Sequence, residues 1–431
     1  MAEQQNYRAP RGVADILPDD QSVWNAVKKT AINTARQFGY QQIDTPVFEN
    51  TGLFRRGVGG ETDIVQKEMY SFDDLGGESL TLRPEGTAPV CRSYIEHGMH
   101  NLPQPVRLYY IAPMFRYDRP QAGRYRQHHQ FGCEAIGDPS PTIDAEIIEI
   151  GLHYITALGL SDVTVRINSI GDPETRTSYA DDLRNHYAKF ADDLPKVDRD
   201  RLERAPLRLL DSKEPATQKL SADAPKSLDY LSDEAQNHWE NLLVLLDGLK
   251  TAYPNFSYRT DHTLVRGLDY YNRTVFEFEP STEGSQTSLF GGGRYDPLIG
   301  ILGGNETPGV GFGSGIERII LETQRQESLD VAEPPRNAVM VHVGDNATIR
   351  AAQLAAELRN HGISVLMAPA GKSMRAQMRY ANRANANYAI IIGDREIEQG
   401  VAAVKPLQFE GDQKTLALDS ATIANFIAPS E

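Results

Sequence analysis

The sequence predicts an α+β core built on a mostly antiparallel sheet, interrupted by a helical insertion and followed by a C-terminal α/β domain. Three observations predict it. Residues 107–118 (RLYYIAPMFRYD) and 124–137 (RYRQHHQFGCEAIG) read as two strands joined by a Pro-Gln-Ala-Gly turn, a hairpin. The stretch 172–256 is densely charged and helically patterned, with few strand signals. Past residue 338, AVMVHVG, ISVLMAP and YAIIIGD alternate with helical segments, the order of a βαβα unit with a parallel sheet.

Taken in order, residues 20–37 place apolar side chains at helical spacing behind an acidic start, which predicts a helix. GYQQIDTPVFE then reads as a strand ending near Pro46. AEIIEIGLHYITALGL is helical, HTLVRGLDYYNRTVFEFEP is strand-like, and GVGFGSGIERIILETQRQ reads as strand, tight bend and helix. The expected division is a core over 1–328, interrupted by the insertion at 172–256, a linker at 329–337 around VAEPPRN, and a C-terminal domain over 338–431.

The totals exclude several classes. The chain has 431 residues, 40% hydrophobic and 24% charged, with no low-complexity tract, enough for two or three domains. No apolar run approaches the ~20 residues that span a bilayer, and MAEQQNYRAPRG lacks the apolar stretch of a secretory signal. Cys91 and Cys133 are too few and too far apart for a disulfide framework or a CxxC metal site, and they suit a reducing cytoplasm. A net charge of −15 argues against non-specific nucleic-acid binding but leaves room for local basic surfaces.

Against that acidic background, FRYDRPQAGRYRQHHQFGCE packs Arg116, Arg119, Arg124 and Arg126 into one hairpin. Alternation puts Arg124, Arg126, His128, Gln130, Gly132 and Glu134 on one strand face, with Arg116 able to reach it from the partner strand. Such a face is unfit for a dry core. It is either a solvated hairpin or a platform for an anion, and arginine favours the second by its two-pronged fit to phosphate. LRPEGTAPV sets Glu85 and Thr87 two apart, either an acceptor for an ammonium group or a carboxylate capping the next helix. LVRGLDYYN puts Arg266 in apolar text before Tyr270 and Tyr271, which offer hydroxyls from an apolar wall. GGGRYD (291–296) is either a glycine-rich turn or backbone approaching a ligand. Arg318 falls on the first turn of a helix behind small residues. Lys372, Arg375, Arg379 and Arg383 recur at helical spacing, either a solubilising face or a nucleic-acid footprint. Two phosphate motifs fail: Leu366 stands where a P-loop before Gly371-Lys372-Ser373 needs glycine, and Ser314 occupies the third glycine position of GVGFGSG.

Together these segments resemble the histidyl-tRNA synthetases, class II aminoacyl-tRNA synthetases. GYQQIDTPVFE, FRYDRPQAGRYRQHHQFGCE and GVGFGSGIER are similar to the three class motifs, and LVRGLDYYNRTVFEF and GGGRYD to the two histidine signatures. RGVADILPDD, TDIVQKEMY, TLRPEGTAP and PLRLLDSKE match further family text, so the likeness runs from about residue 8 to the end. It implies a class II antiparallel catalytic sheet with flanking helices, an anticodon-binding domain at 338–431, and a cytoplasmic homodimer acting on L-histidine, ATP and tRNA(His). Mg²⁺ would accompany the ATP, without zinc and without a protein-held metal site.

On the same resemblance, Arg116 and Arg266 are catalytic, facing the α-phosphate from opposite sides. Arg116, Arg124 and Arg318 would bind ATP. Glu85, Gly86, Thr87, Arg116, Gln130, Glu134, Arg266, Tyr270 and Tyr271 would bind histidine, with Glu134 and the tyrosine pair reading the imidazole. Arg119 and Gln121 would face the tRNA acceptor end, and Arg375 and Arg379 are candidate tRNA contacts read from charge alone. Leu289-Phe290 and Pro297 depart from the usual text of the second signature. The competing expectations are a catalytically inactive relative serving as the regulatory subunit of ATP phosphoribosyltransferase, and a prolyl or threonyl enzyme. The presence of 338–431 and of Arg266 argues against the first, and LVRGLDYY with Glu134 against the second.

Overall fold

A computed structural model describes residues 7–60, 62–280, 288–329 and 337–428; the expected linker falls almost wholly outside them. The chain divides into two compact units, Met1–Val331 and Ala332–Glu431.

The first unit is organised by an eight-stranded sheet. From edge to edge its strands are Gln41–Gln42, Val106–Phe115, Gln127–Ile136, Gly309–Gly315, Phe290–Arg294, Asn272–Pro280, Val163–Ser169 and Ser257–Thr260. Every interior pairing is antiparallel, and only the two edge strands pair parallel. The period of two decides what each face becomes. Phe131, Cys133 and Ala135 join a core cluster with Ile147, Ile148 and Ile150 of the helix Pro141–Ala157, so Gln130, Gly132 and Glu134 turn to the other face. Helices Gln21–Gln37 and Ile316–Arg325 contribute to the same cluster. The opposite face is covered by Thr87–Glu96, Pro173–Ala188 and the short helix Pro297–Ile301.

The expected hairpin is present as Val106–Phe115 and Gln127–Ile136, in register from Val106 against Ile136 to Phe115 against Gln127. Its connection is longer than a four-residue turn and closes at Gln121 against Arg124. Arg124 and Arg126 therefore precede the strand, and Arg126 leaves the shared face: it stacks over Tyr117 at 3.7 Å and donates to Asp118 O and Arg11 O.

Three further expectations are corrected. GYQQIDTPVFE is not one strand: Gln41–Gln42 edges the main sheet, while Phe48–Asn50 joins a separate three-stranded sheet with Ser79–Leu82 and Tyr70–Asp73. Asp44 to Pro46 separate the two pieces, and proline has no N–H to give a ladder. Residues 261–271 are irregular rather than strand, so Arg266 sits on a loop; its apolar neighbours Leu264 and Val265 are buried by packing, not pairing. GGGRYD is no turn, because Phe290–Arg294 is a wholly buried strand.

Within 172–256 the structure is helical, in Pro173–Ala188, Lys196–Arg204, Pro215–Ser221 and Asp233–Leu249. The last of these packs Trp239, Leu242 and Leu246 into the main core cluster, whereas Tyr179, Leu183 and Leu202 join the cluster on the other face. Helical periodicity shows that an apolar stripe exists, not which surface covers it.

The second unit carries a five-stranded sheet. Ser364–Met367, Asn337–Val343 and Tyr388–Gly393 pair parallel as expected, and Val401–Pro406 and Lys414–Ala417 extend the sheet antiparallel. The helix Met374–Arg383, capped by Ser373 Oγ, which accepts from the Ala376 N–H, exposes Arg375, Arg379 and Arg383 along one side, with Lys372 just before it. None of the four makes an ion pair among the described residues.

Candidate active site

A cleft of about 310 Å³ opens over the polar face of the main sheet, walled by four arginines from three parts of the chain: Arg116 and Arg124, Arg266, and Arg318. Two have carboxylate partners, Arg124 with Asp118 at 3.3 Å and Arg266 with Glu277. Among the described residues the other two hydrogen-bond only to backbone carbonyls. Arg116 Nε donates to Pro84 O at 2.7 Å, and Arg318 donates to Gly123 O at 3.1 Å and Ser288 O at 2.9 Å. Arg318 is held below the usual guanidinium range by burial, with Arg124 and Arg116 adding like-charge repulsion. The buried Nε–H of Arg266 has no partner among the described residues. A donor surplus of this kind is suited to a multiply charged anion.

Neighbouring residues tune the same wall. His128 stays neutral, its pKa lowered to about 3 by burial and by Arg116 and Arg318. Gln130 lies next to the Cα of Gly313, where an added Cβ would come within 3.4 Å of its Oε1. Glu317 accepts from the His129 backbone N–H and contacts its ring, fixing the helix that begins at Ile316 against the hairpin just before Arg318. A Cβ on Gly291 would stand 2.8 Å from Arg266 Nη1, so that glycine makes room for the guanidinium.

Glu134 lies on the same face but has no exposed surface. It is fully buried and accepts hydrogen bonds from Thr87 Oγ1 and Tyr295 Oη, each at 2.7 Å, and from Tyr110 Oη at 3.4 Å. Burial, helped by the charge of Glu85, lifts its carboxyl to about 8, which the three donors only partly oppose. Gly311 is required opposite it, since a Cβ there would come within 1.9 Å of Glu134 Oε2. Tyr270 and Tyr271 are buried beside this cluster, ring centroids 4.7 Å apart, with their phenols raised above the ordinary value by burial.

Glu85 and Thr87 do not share an extended face. Thr87 opens the helix Thr87–Glu96, and the buried Glu85 carboxylate accepts from the N–H groups of Thr87 (2.7 Å) and Ala88 (3.0 Å), the capping alternative. Gly86 and Gly132 both face the ring of Tyr110, where a Cβ would come within 2.3 and 2.2 Å of its Cζ. Arg119 and Gln121 stand exposed at the hairpin tip.

The structure thus brings Arg116, Arg124, Gln130, Arg266 and Arg318 to one cleft, and gathers Glu85, Thr87, Glu134, Tyr270 and Tyr271 into a closed cluster. Sequence reasoning missed Tyr110, Tyr295 and Glu277. Tyr295 was in view within GGGRYD, but nothing local marks its hydroxyl as a donor to a residue 161 positions away.

The profile described as "Histidyl-tRNA synthetase" matches residues 12–319. This chain belongs to the histidyl-tRNA synthetase family. A second profile, "Anticodon binding domain", matches residues 337–423. The chain is 46% identical over 413 residues to a protein of Dehalococcoides mccartyi named histidine–tRNA ligase, covering 96% of this chain and 97% of that one. Among solved structures, apo histidyl-tRNA synthetase of S. aureus matches with a TM-score of 0.79 at 36% identity, covering 98% of this chain and 100% of that one. A Bacillus halodurans structure titled as an ATP phosphoribosyltransferase regulatory subunit/histidyl-tRNA synthetase reaches a TM-score of 0.64 at 22% identity over 90% of this chain and 98% of that one, a likeness of fold. No described helix is long and apolar enough to cross a membrane.

Proposed function

We propose that the protein attaches L-histidine to tRNA(His) in two steps. The carboxylate of histidine attacks the α-phosphorus of ATP, giving histidyl-adenylate and pyrophosphate. The terminal ribose hydroxyl of the tRNA then takes the histidyl group, releasing AMP. The observation that carries this reading is the surplus of guanidinium donors in one cleft, beside a buried carboxyl ringed by hydroxyls.

The barrier in the first step is the meeting of two anions. Arg116 and Arg266 lower it from opposite sides of the α-phosphate, while Arg124 and Arg318 hold the rest of the triphosphate. Neutral His128 adds hydrogen bonding without charge. Glu85 and Thr87 hold the ammonium group of histidine, and Gln130 orients its carboxylate. Glu134 reads the imidazole with Tyr270 and Tyr271; a ring with one donor and one acceptor fits a carboxyl and phenols, and ligands without that pair leave buried groups unmatched. Because these residues form a closed cluster, histidine enters by displacing side chains of the 264–271 loop. Gly86 leaves the space that Tyr110 fills beside Glu134.

Mg²⁺ arrives on the ATP phosphates; among the described residues no group of three His, Cys, Asp or Glu side chains is placed to hold an ion by itself. Arg119 and Gln121 meet the tRNA acceptor end, and the exposed row with Arg375 and Arg379 meets its anticodon arm. Homodimer formation finds support in the small three-stranded sheet, where Phe48 and Phe72 lie edge to face with half their surface exposed. The domain assignment is a catalytic core with the 172–256 insertion and the 338–431 anticodon-binding domain, at work in the cytoplasm.

Pyrophosphate exchange with each of the twenty amino acids in turn tests the reading. Exchange that depends on histidine supports it. Exchange with proline or threonine instead, or with none, as for a regulatory subunit, overturns it.

A further inference from the structure

The loop that carries Arg266, Tyr270 and Tyr271 is almost free of sheet pairing, which leaves open what fixes it. From residue 261 to 271 the chain is irregular. Its ties to the sheet lie at its start and through one side chain: Asp261 N–H donates to Ile167 O at 3.0 Å, Asn168 Nδ2 donates to Leu264 O at 3.0 Å, and Arg266 pairs with Glu277, while Asp269 N–H donates to Val58 O at 3.1 Å on the facing loop. The carbonyls of Gly267, Asp269 and Tyr271 are held otherwise. Arg208 Nη2 donates to Gly267 O, the carbonyl next to Arg266. Arg176 donates from Nη1 to Asp269 O at 3.3 Å and from Nη2 to Tyr271 O at 2.8 Å. Both arginines come from the helical insertion, Arg176 from Pro173–Ala188 and Arg208 from the turn Pro206–Leu209.

The placement is costly unless it does something. Both guanidinium groups are half-buried, and burial holds both below their ordinary pKa. Their hydrogen bonds go to backbone carbonyls, and the nearby Asp269 carboxylate offsets only part of what burial costs them. Between them and the loop lies a hollow of about 420 Å³, so the loop is not wedged in place by close packing there. A planar fork that reaches two carbonyls at once suits Arg176 to fixing a backbone path, which a lysine cannot copy.

We propose that Arg176 and Arg208 are positioning residues for amino-acid activation: the insertion holds, through their hydrogen bonds to the carbonyls of Gly267, Asp269 and Tyr271, the loop that presents Arg266 and the two tyrosines to histidine. The proposal rests on the function proposed above and deepens it by naming what sets the histidine pocket. The part of the cleft that holds the rest of the triphosphate, Arg124 and Arg318, does not depend on these contacts. Arg266 meets ATP at the phosphorus under attack, so its displacement shows in kcat rather than in the ATP KM.

The test uses the full chain with Arg176→Lys and Arg208→Lys, which keep the charge, and the double Arg176→Met/Arg208→Met. Three quantities are read: melting temperature, hydrogen exchange of the 264–271 amides, and KM for histidine and for ATP in pyrophosphate exchange. Exchange of the loop amides rises in each variant. The histidine KM rises about tenfold in the lysine variants and further in the double, the size expected for losing a charged-donor hydrogen bond. The ATP KM stays within about twofold and the melting temperature within a few degrees, since these contacts bear on one loop. Unchanged loop exchange overturns the proposal, and so does an equal rise in both KM values. Should the parent protein show no histidine-dependent exchange, the functional reading falls by itself, while the hydrogen-exchange arm still decides whether the arginines hold the loop.

Discussion

Glu134 shows how much one side chain depends on its surroundings. A carboxyl with no exposed surface and a like charge nearby keeps its proton to about pH 8, against a usual 4.5. The folded state therefore binds that proton more tightly than the unfolded chain. The associated stability is fully present below the unfolded value and is lost as pH climbs from 4.5 toward 8. Glu134→Gln cannot ionise, so its melting temperature should fall less between about pH 5 and 8 than that of the parent. Parallel profiles for the two proteins would contradict the assignment. The arginines of the cleft were legible in the sequence because an ionised group in apolar or glycine-rich text needs an explanation. Glu277 and Tyr295 were not, since the partner of one lies on the 261–271 loop and that of the other on a distant strand, and only the fold introduces them.

At the scale of elements, the second histidine signature is organised around a buried charge. Arg294 and Asp144, both without exposed surface, face one another across 150 positions of sequence, with His238 and Asp296 alongside. Arg294 holds the Asp144 carboxyl well below its ordinary range despite burial. Removing one partner strands the other, so Arg294→Leu should cost about 3–5 kcal/mol in chemical denaturation; a loss within 1 kcal/mol would refute the buried-pair account. The departures in this segment have structural reasons. Phe290 stacks on Phe278 at 4.2 Å, and Pro297 takes the first position of the helix Pro297–Ile301, where no N–H is needed. Gly311→Ala should unseat Glu134, raising the histidine KM at least tenfold by the loss of matched buried polar groups; an unaltered KM would mean the strand can shift. Long elements with strong periodicity, the hairpin and the helix Pro141–Ala157, could be read in advance. The 261–271 loop could not, because apolar text spells burial without saying whether packing or pairing provides it.

For the molecule as a whole, the distribution of charge matters more than its sum. A chain of net charge −15 keeps four arginines in one cleft and, on a helix of its second unit, an exposed basic row without an ion pair among the described residues. Arg375→Glu with Arg379→Glu should weaken tRNA binding by about tenfold or more and flatten its salt dependence, leaving pyrophosphate exchange intact. Undiminished tRNA affinity would return that row to a solubilising role. The central claim is that guanidinium groups converge on the phosphorus under attack. Single-turnover formation of histidyl-adenylate by Arg266→Ala measures it most directly. The account predicts a rate lowered by about 10²–10³ with the melting temperature nearly kept, the cost of losing one preorganised charge at a reacting centre. A rate equal to that of the parent protein would contradict it.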